Sequence, residues 1–145
     1  MIYDASVHAS VREGARAGLA RTFAARHNDA AAFDKAIVKA RRAGARGVFL
    51  AVESVYSMDG DRAPLADLLE VARRRDAALF VDEAHATGVF GAGGRGLAAG
   101  LREPRLITLH PCGKALGASG ALLAAPAAVT RYLVQAARPF LYSTA

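Results

Sequence analysis

The chain has 145 residues, of which 53% are hydrophobic and 22% charged, and its formal net charge at neutral pH is +6. This length allows one ordinary domain, and the apolar fraction excludes a wholly disordered chain, because such a chain buries enough surface to offset its ordering entropy. Charged residues interrupt every apolar stretch, which excludes a membrane-spanning helix, and the single cysteine, Cys112, excludes an internal disulfide. With an N-terminus unlike a secretory signal, these features predict a soluble, cytoplasmic protein.

The positive charge raises the question of an anionic partner. The arginines concentrate in two groups, which are Arg41, Arg42 and Arg46, and Arg73, Arg74 and Arg75. Both groups lie near the ends of predicted helices, where cations interact favourably with the helix dipole. Tryptophan is absent and aromatic residues are few, which disfavours base stacking. We therefore expect solvated helix ends and no nucleic-acid partner, and nucleic-acid binding is the third-ranked hypothesis.

Helical and strand patterns alternate along the chain. The predicted elements in order are a helix over Asp29–Arg42 that Gly44 stops, a strand over Gly47–Glu53, a helix opened by Pro64, a strand over Ala77–Val81 that ends at Asp82, strands over Arg105–His110 and Ala121–Ala125, and a helix from Pro126 to about Ala137. This order is typical of an α/β fold, with a mostly parallel sheet in a three-layer arrangement.

The segment 88–100 is dense in glycine and is predicted to be a flexible loop. Its GAGGRG run is similar to a dinucleotide-binding fingerprint only superficially. It follows no strand immediately and opens no obvious helix, so we do not predict a nucleotide site there.

Polar residues follow the predicted strands, in the segments Glu53–Ser57, Asp82–His85 and His110–Lys114. In open parallel sheets, ligands bind in the crevice beyond the carboxyl ends of the strands. The sequence therefore predicts a ligand site at this edge of the sheet.

Three residues of these segments suit one kind of chemistry. A carboxylate at a strand end, such as Asp82, can keep a cationic ring nitrogen protonated, and His85 follows three residues later. Lys114 is flanked by Gly113 and Gly117, small neighbours that let a cofactor approach, and desolvation would favour its nucleophilic form. Taken singly, each has a simpler alternative as a cap, a turn residue or a surface charge. Together they fit pyridoxal phosphate (PLP), which needs a Schiff-base lysine, an acid at its pyridinium nitrogen and a partner for its phenolic oxygen.

Several short motifs, taken in their order along the chain, resemble those of a known family. The motifs that carry the resemblance are His8-Ala-Ser10, His27-Asn-Asp29, Glu53-Ser-Val-Tyr-Ser-Met-Asp-Gly-Asp61, Val81-Asp-Glu-Ala-His-Ala-Thr-Gly88, Gly94-Arg-Gly96, Gly113-Lys-Ala-Leu-Gly117 and Tyr142-Ser-Thr144. In this order they resemble the α-oxoamine synthases, PLP-dependent enzymes of fold-type I. The resemblance implies that residues 1–145 form a single, incomplete PLP-binding large domain of the aspartate aminotransferase type.

The resemblance also implies roles for individual residues. Lys114 would form the Schiff base with PLP, and Asp82 would pair with the pyridinium nitrogen. His85 and Ser57 would contact the phenolic oxygen. His8 would stack on the cofactor ring, with a turn histidine as the alternative.

Ser143 and Thr144 lie in a segment that, by the same resemblance, reaches the phosphate of the neighbouring subunit's cofactor. A turn or helix-start role for this pair is equally compatible with the sequence. The first interpretation implies a homodimer, and no metal site is predicted.

The reaction implied is the decarboxylative condensation of an amino acid with an acyl thioester. The motifs favour the family member that joins alanine to a pimeloyl thioester in biotin biosynthesis. Glycine C-acetyltransferase and 5-aminolevulinate synthase are the alternatives within the family.

Two features depart from the family pattern. Family members are much longer, and the position three before the lysine is Pro111, where a threonine hydroxyl usually meets the phosphate. Proline offers neither a hydroxyl nor an N–H group. Its neighbour Cys112 is expected to be a packing residue. We therefore predict weak or no activity for this chain alone, and a non-catalytic remnant or interaction module is the alternative class.

Overall fold

The computed structural model describes residues 1–142. Its centre is a six-stranded sheet in the order β2-β1-β3-β4-β5-β6. The strands are β1 (Ile2–Asp4), β2 (Phe23–Ala25), β3 (Phe49–Glu53), β4 (Ala78–Asp82), β5 (Leu106–Pro111) and β6 (Ala121–Ala124). Neighbours from β2 to β5 pair in parallel, whereas β6 runs antiparallel to β5. The predicted mostly parallel α/β sheet is confirmed.

Helices connect these strands. They are α1 (Ala9–Ala17), α2 (Ala30–Arg42), α3 (Leu65–Arg74), α4 (Ala127–Ala136) and α5 (Arg138–Leu141), with a short 3₁₀ turn over Ala92–Gly94. The side chain of Asp29 accepts a hydrogen bond from the Ala32 amide and so caps α2, which the sequence predicts as the start of a helix. Gly44 follows α2 with a φ of +88°, as expected for the residue after a helix end. The sequence analysis did not predict α1, β1 and β2.

The core lies around β3 and β4. Leu50 and Leu79 are fully buried in these strands, and Phe33 and Ile37 from α2 and Leu68 from α3 are buried with them. Burying each side chain of this size contributes roughly 1.5–3 kcal/mol relative to exposure. The two continuous apolar runs of the sequence therefore form the buried central strands. This packing fixes the positions of the residues at the ends of these strands.

The register of the central strands sets the position of the site. Glu53 is paired with Asp82 across β3 and β4, and Asp82 is paired with Leu109 across β4 and β5. The polar segments that follow these strands consequently begin at the same edge of the sheet, as the strand-end argument predicts.

The last strand and the helix that follows it, β6 and α4, are largely exposed to solvent. All four residues of β6 are exposed, and α4 has no buried residue. Leu122 and Tyr132 are both more than half exposed. Within residues 1–142, no helix combines the length and the apolar character that crossing a membrane requires.

Candidate active site

The edge formed by the strand ends brings four of the predicted site residues together. Lys114, in the loop after β5, lies with its Nζ atom 2.7 Å from Nε2 of His85, in the loop after β4. Asp82 ends β4, and its carboxylate lies close enough to Lys114, His85 and His8 for their charges to act on it. Two histidines, a lysine and a carboxylate from three separate loops thus form one cluster.

Asp82 is a buried carboxylate surrounded by cationic or protonatable groups. It is 7% exposed, and its Oδ1 accepts a hydrogen bond of 2.9 Å from the Ala84 amide. Burial raises the pKa of Asp82 above its ordinary value, while the Ala84 amide and the charges of Lys114, His8 and His85 act in the opposite direction. A further cation placed against this carboxylate would favour its charged form.

The surroundings of His85 favour its neutral form. Burial lowers the pKa of His85, and the positive charge of Lys114 lowers it further, against the opposing effect of Asp82. A neutral imidazole can accept a hydrogen bond at Nε2, and the ammonium group of Lys114 can donate it. Lys114 itself is exposed, so its amine is open to a ligand.

His8 lies at the start of α1 and is exposed. Its Nδ1 accepts a hydrogen bond of 3.2 Å from the Ser10 amide and lies 2.8 Å from the Ser10 hydroxyl. The turn role that the sequence offers as an alternative is therefore present in the structure. Because His8 also acts on Asp82, this helix cap stands beside the cluster.

Glu53 has a role that the sequence analysis did not assign. It is 2% exposed, and its Oε1 accepts a hydrogen bond from the His8 amide. Burial raises the pKa of Glu53, and the amides of His8 and Ser57 partly offset this effect. Glu53 thus connects the loop of His8 to the turn that carries Ser57, whose side chain is exposed.

Glu83 organises the glycine-rich segment. Its fully buried carboxylate accepts hydrogen bonds from the Ser54 hydroxyl at 2.6 Å and from the amides of Leu97 and Ala98 at 3.1 and 2.6 Å. A Cβ atom on Gly96 would lie 2.6 Å from this carboxylate, so only glycine fits there. The segment predicted as a flexible loop is therefore tied to the residue after Asp82.

The loop that carries Lys114 packs closely on the loop after β4. A Cβ atom on Gly88 would lie 2.5 Å from the Cβ of Ala115, so the absence of a side chain at Gly88 permits this contact. Pro111 ends β5 opposite Ala121. Cys112 is 8% exposed and agrees with the expected packing role.

His110 adds a second connection between β5 and the loop after β4. The Thr87 hydroxyl donates to the Glu83 carbonyl at 2.9 Å and therefore accepts from Nδ1 of His110, 2.8 Å away. Nε2 of His110 lies 3.0 Å from the Thr108 hydroxyl. The two hydrogen bonds fix the orientation of this imidazole.

The remaining predicted residues fall outside the cluster. Ser143 and Thr144 lie outside the described residues. Of the arginine groups, Arg74 and Arg75 form ion pairs of 2.8 Å with Asp34, and Arg41 donates to the Ala45 carbonyl. Across residues 1–142, no group of His, Cys, Asp and Glu has an arrangement suited to a metal ion.

Comparison with known proteins identifies the family of this chain. The family model for aminotransferase class I and II matches residues 1–145. 8-Amino-7-oxononanoate synthase from Cupriavidus metallidurans is 45% identical over 140 residues, which are 95% of this chain and 34% of that protein. The same enzyme from Methylobacillus flagellatus is 41% identical over 140 residues, which are 95% of this chain and 35% of that protein. The chain therefore spans about a third of the length of the curated relatives it matches.

Solved structures show the same relationship. Serine palmitoyltransferase from Sphingomonas wittichii has a TM-score of 0.88 and 33% identity, covering 99% of this chain and 36% of that one. Serine palmitoyltransferase from S. paucimobilis, solved with a bound PLP–myriocin aldimine, has a TM-score of 0.87 and 31% identity, covering 99% and 37%. 8-Amino-7-oxononanoate synthase from Francisella tularensis has a TM-score of 0.76 and 30% identity, covering 99% and 41%. Because the family model matches all of this chain and the motifs and the fold are shared, the chain belongs to the aminotransferase class I and II family and, within it, to the α-oxoamine synthases.

Proposed function

We propose that this chain carries the PLP-binding face of an 8-amino-7-oxononanoate synthase. In the proposed reaction, the α-carbon of alanine loses its proton and bonds to the carbonyl carbon of a pimeloyl thioester, which releases the thiol of coenzyme A or a carrier protein. The α-carbon then loses its carboxylate as CO₂ and takes up a proton in its place, which gives the amino ketone. The observation that carries the proposal is the contact between Lys114 and His85 beside the buried carboxylate of Asp82. The names of the curated relatives support the choice of substrates.

The donor set of the cluster fits PLP. The exposed amine of Lys114 would attach to the aldehyde, and Asp82, whose Oδ2 accepts no hydrogen bond from residues 1–142, would pair with the pyridinium nitrogen. His85 and Ser57 would contact the phenolic oxygen, and the exposed ring of His8 would stack on the cofactor.

Asp82, Lys114 and His85 would each have a different role in the proposed reaction. When bound, PLP supplies an electron sink for charge that develops at the substrate α-carbon. Asp82 would keep the ring nitrogen protonated, because a buried carboxylate gains from a cationic partner. Lys114 would accept the α-proton at Nζ, and His85 would hold that amine in place through Nε2.

The phosphate would be held less firmly than in the family pattern. Pro111 stands where the resemblance implies a threonine, and a lost hydrogen bond to a charged group weakens binding by roughly 1.5–3 kcal/mol. We accordingly expect weak PLP affinity and low turnover from this chain alone.

The test is a visible absorbance titration with PLP, followed by borohydride reduction and peptide mapping. We expect an absorbance band, a covalent adduct on Lys114, and loss of both in Lys114→Ala. Lys39→Ala is the matched control, because Lys39 lies near the ring of Phe23, away from the cluster, and its removal should leave the band unchanged. An adduct on another lysine, or no band at any PLP concentration, contradicts the proposal and favours a non-catalytic remnant.

The structural likeness to serine palmitoyltransferase supports a second candidate, in which serine replaces alanine. The higher sequence identity to 8-amino-7-oxononanoate synthases favours alanine. Spectral perturbation of the PLP-loaded chain by alanine, serine and glycine in parallel separates these candidates and also tests the glycine-using members of the family.

We also propose that the functional form is a cytoplasmic homodimer. Ser143 and Thr144 would reach the phosphate of the neighbouring subunit's cofactor, which requires a second copy. Sedimentation with and without PLP tests the dimer, and a monomer under both conditions would contradict it.

A further inference from the structure

A second histidine, His27, lies outside the proposed PLP face and joins two carboxylates. Its Nδ1 lies 2.7 Å from Oδ1 of Asp4, and its Nε2 lies 2.8 Å from Oδ2 of Asp61. A neutral imidazole carries one N–H, so donating to both carboxylates requires the protonated ring. We call Asp4, His27 and Asp61 the histidine clamp.

Neighbouring residues hold the histidine clamp in place. Asn28 follows His27 and donates its backbone amide to Oδ2 of Asp4 at 2.8 Å, and its side-chain amide donates to Oδ2 of Asp61. Its φ of +51° is one that asparagine tolerates better than most residues. The ring of Tyr56 meets the imidazole edge to face at 4.5 Å between centroids. The clamp is therefore oriented from several sides.

Each carboxylate of the clamp fixes a loop that leads to the proposed PLP face. Asp4 ends β1 and accepts a third hydrogen bond, from the Ser6 amide at 2.8 Å, just before His8. Asp61 closes the turn after β3, where its carbonyl accepts from the Tyr56 amide at 2.9 Å, and Ser57 lies inside that turn. Without the imidazole, the two carboxylates would be joined only through Asn28, and each would lose a charge-assisted hydrogen bond.

Resting on the proposed function, we propose that His27 is a positioning residue: by bridging Asp4 and Asp61 it sets the relative placement of the loops that present His8 and Ser57 to PLP. In this role His27 would act through these loops and not by touching the substrate or the cofactor. Glu53, which binds the amides on the other side of the same loops, acts in parallel with it.

The clamp also has a pH dependence. Burial lowers the pKa of His27, but the hydrogen bonds that the ring donates to Asp4 and Asp61 outweigh it, and the pKa is raised above 6.5. The titratable groups facing His27 are Asp4, Asp61 and Tyr56. A raised pKa means that the clamp's stabilisation is complete below the unfolded value and is lost as the pH rises through the folded value.

The decisive experiment measures loop position without PLP. Proton–nitrogen correlation spectra of the unmodified chain should show both ring nitrogens of His27 protonated at neutral pH. Raising the pH from about 6 to about 9, or substituting His27→Gln, should shift the backbone amide signals of Val7, His8, Ser57 and Gly60. Shifts confined to residues 26–30, or a neutral His27 at neutral pH, would overturn the proposal whether or not the chain binds PLP.

A PLP titration then tests the consequence for the cofactor. His27→Gln and the milder Asp61→Asn should each raise the Kd for PLP about 10-fold, as loss of one charge-assisted hydrogen bond would. Asp34→Asn, which removes ion pairs between α2 and α3, is the control and should leave the Kd unchanged. An unchanged Kd in both clamp variants refutes the positioning role, whereas no PLP binding by the unmodified chain refutes the proposed function and leaves the loop measurement to decide the clamp.

Discussion

Individual residues of this chain acquire their roles from burial that the sequence does not display. Asp82 and Glu83 are adjacent, yet one faces the cluster and the other accepts three hydrogen bonds from the opposite direction. Glu83 is therefore a structural carboxylate, and its rigidity explains why its neighbour across the loop is Gly96.

Two glycines of this loop provide a matched test of that rigidity. Gly96→Ala should lower the free energy of unfolding by about 3 kcal/mol or more, because the new Cβ would press on the fixed Glu83 carboxylate at a φ of +93°. Gly93→Ala also has a positive φ but has no atom within 4 Å, so it should cost only about 1 kcal/mol. Urea denaturation measures the free energy of unfolding of both variants. Equal decreases would show that the Glu83 side chain moves away from the new Cβ atom and is not rigid.

The sequence predicted the strand-end cluster at the level of residues because the strand ends are visible as polar residues after apolar runs. Asp82, His85 and Lys114 were found in this way. Glu53 and His27 were recognised in motifs but not as connections between loops. Their contacts depend on three loops meeting in space, which no spacing along the chain shows.

Ion pairs at the protein surface join helices α2 and α3. Oδ1 and Oδ2 of Asp34 bind Arg74 and Arg75 at 2.8 Å each. The hydrogen bonds from Arg75 and Arg74 outweigh burial and hold the pKa of Asp34 well below its usual range. A depressed carboxyl pKa adds stability above the unfolded value, and this stability is lost as the pH falls through the folded value.

We therefore expect Asp34→Asn to weaken the acid sensitivity of the fold. At neutral pH the variant should be about 1 kcal/mol less stable, a modest value because Arg74 and Arg75 are 54% and 38% exposed. The difference from the unmodified chain should shrink as the pH falls below about 4. Urea denaturation at a series of pH values measures this, and a difference independent of pH would contradict the ion-pair explanation.

Elements with a continuous apolar run or a clear cap and stop were predictable, and α1, β1 and β2 were not. The runs that became β3 and β4 are continuously apolar, and α2 has a capping aspartate and a glycine stop. β1 and β2 have three residues each, too few for a period to appear. They exist because the sheet offers them a parallel neighbour.

Buried and exposed apolar side chains are unevenly distributed across the described sheet. The buried core centres on β1, β3 and β4, whereas β6 is an edge strand of the described sheet with exposed apolar side chains. Exposed edges with apolar residues favour pairing with other chains.

Self-association through β6 is the expected result. Leu122 is 60% exposed on this strand, so Leu122→Lys should reduce the associated fraction, because a charge disfavours edge pairing. Leu19→Lys, at a fully exposed position outside β6, adds the same charge and should have no such effect. Light scattering after size-exclusion chromatography compares the two, and equal effects would indicate that net charge alone governs association.

The order of the strands has a consequence for synthesis on the ribosome. Within residues 1–142, every strand after β1 pairs with a strand that is closer to the N-terminus. β2 and β3 pair with β1, and β4, β5 and β6 each pair with the strand made just before it. A nascent chain that emerges from its N-terminus first never has to wait for a later segment before its next strand can pair. The sheet can therefore add strands in the order in which they are translated. The loop that carries Lys114 is made after the strands whose carboxyl ends form the site.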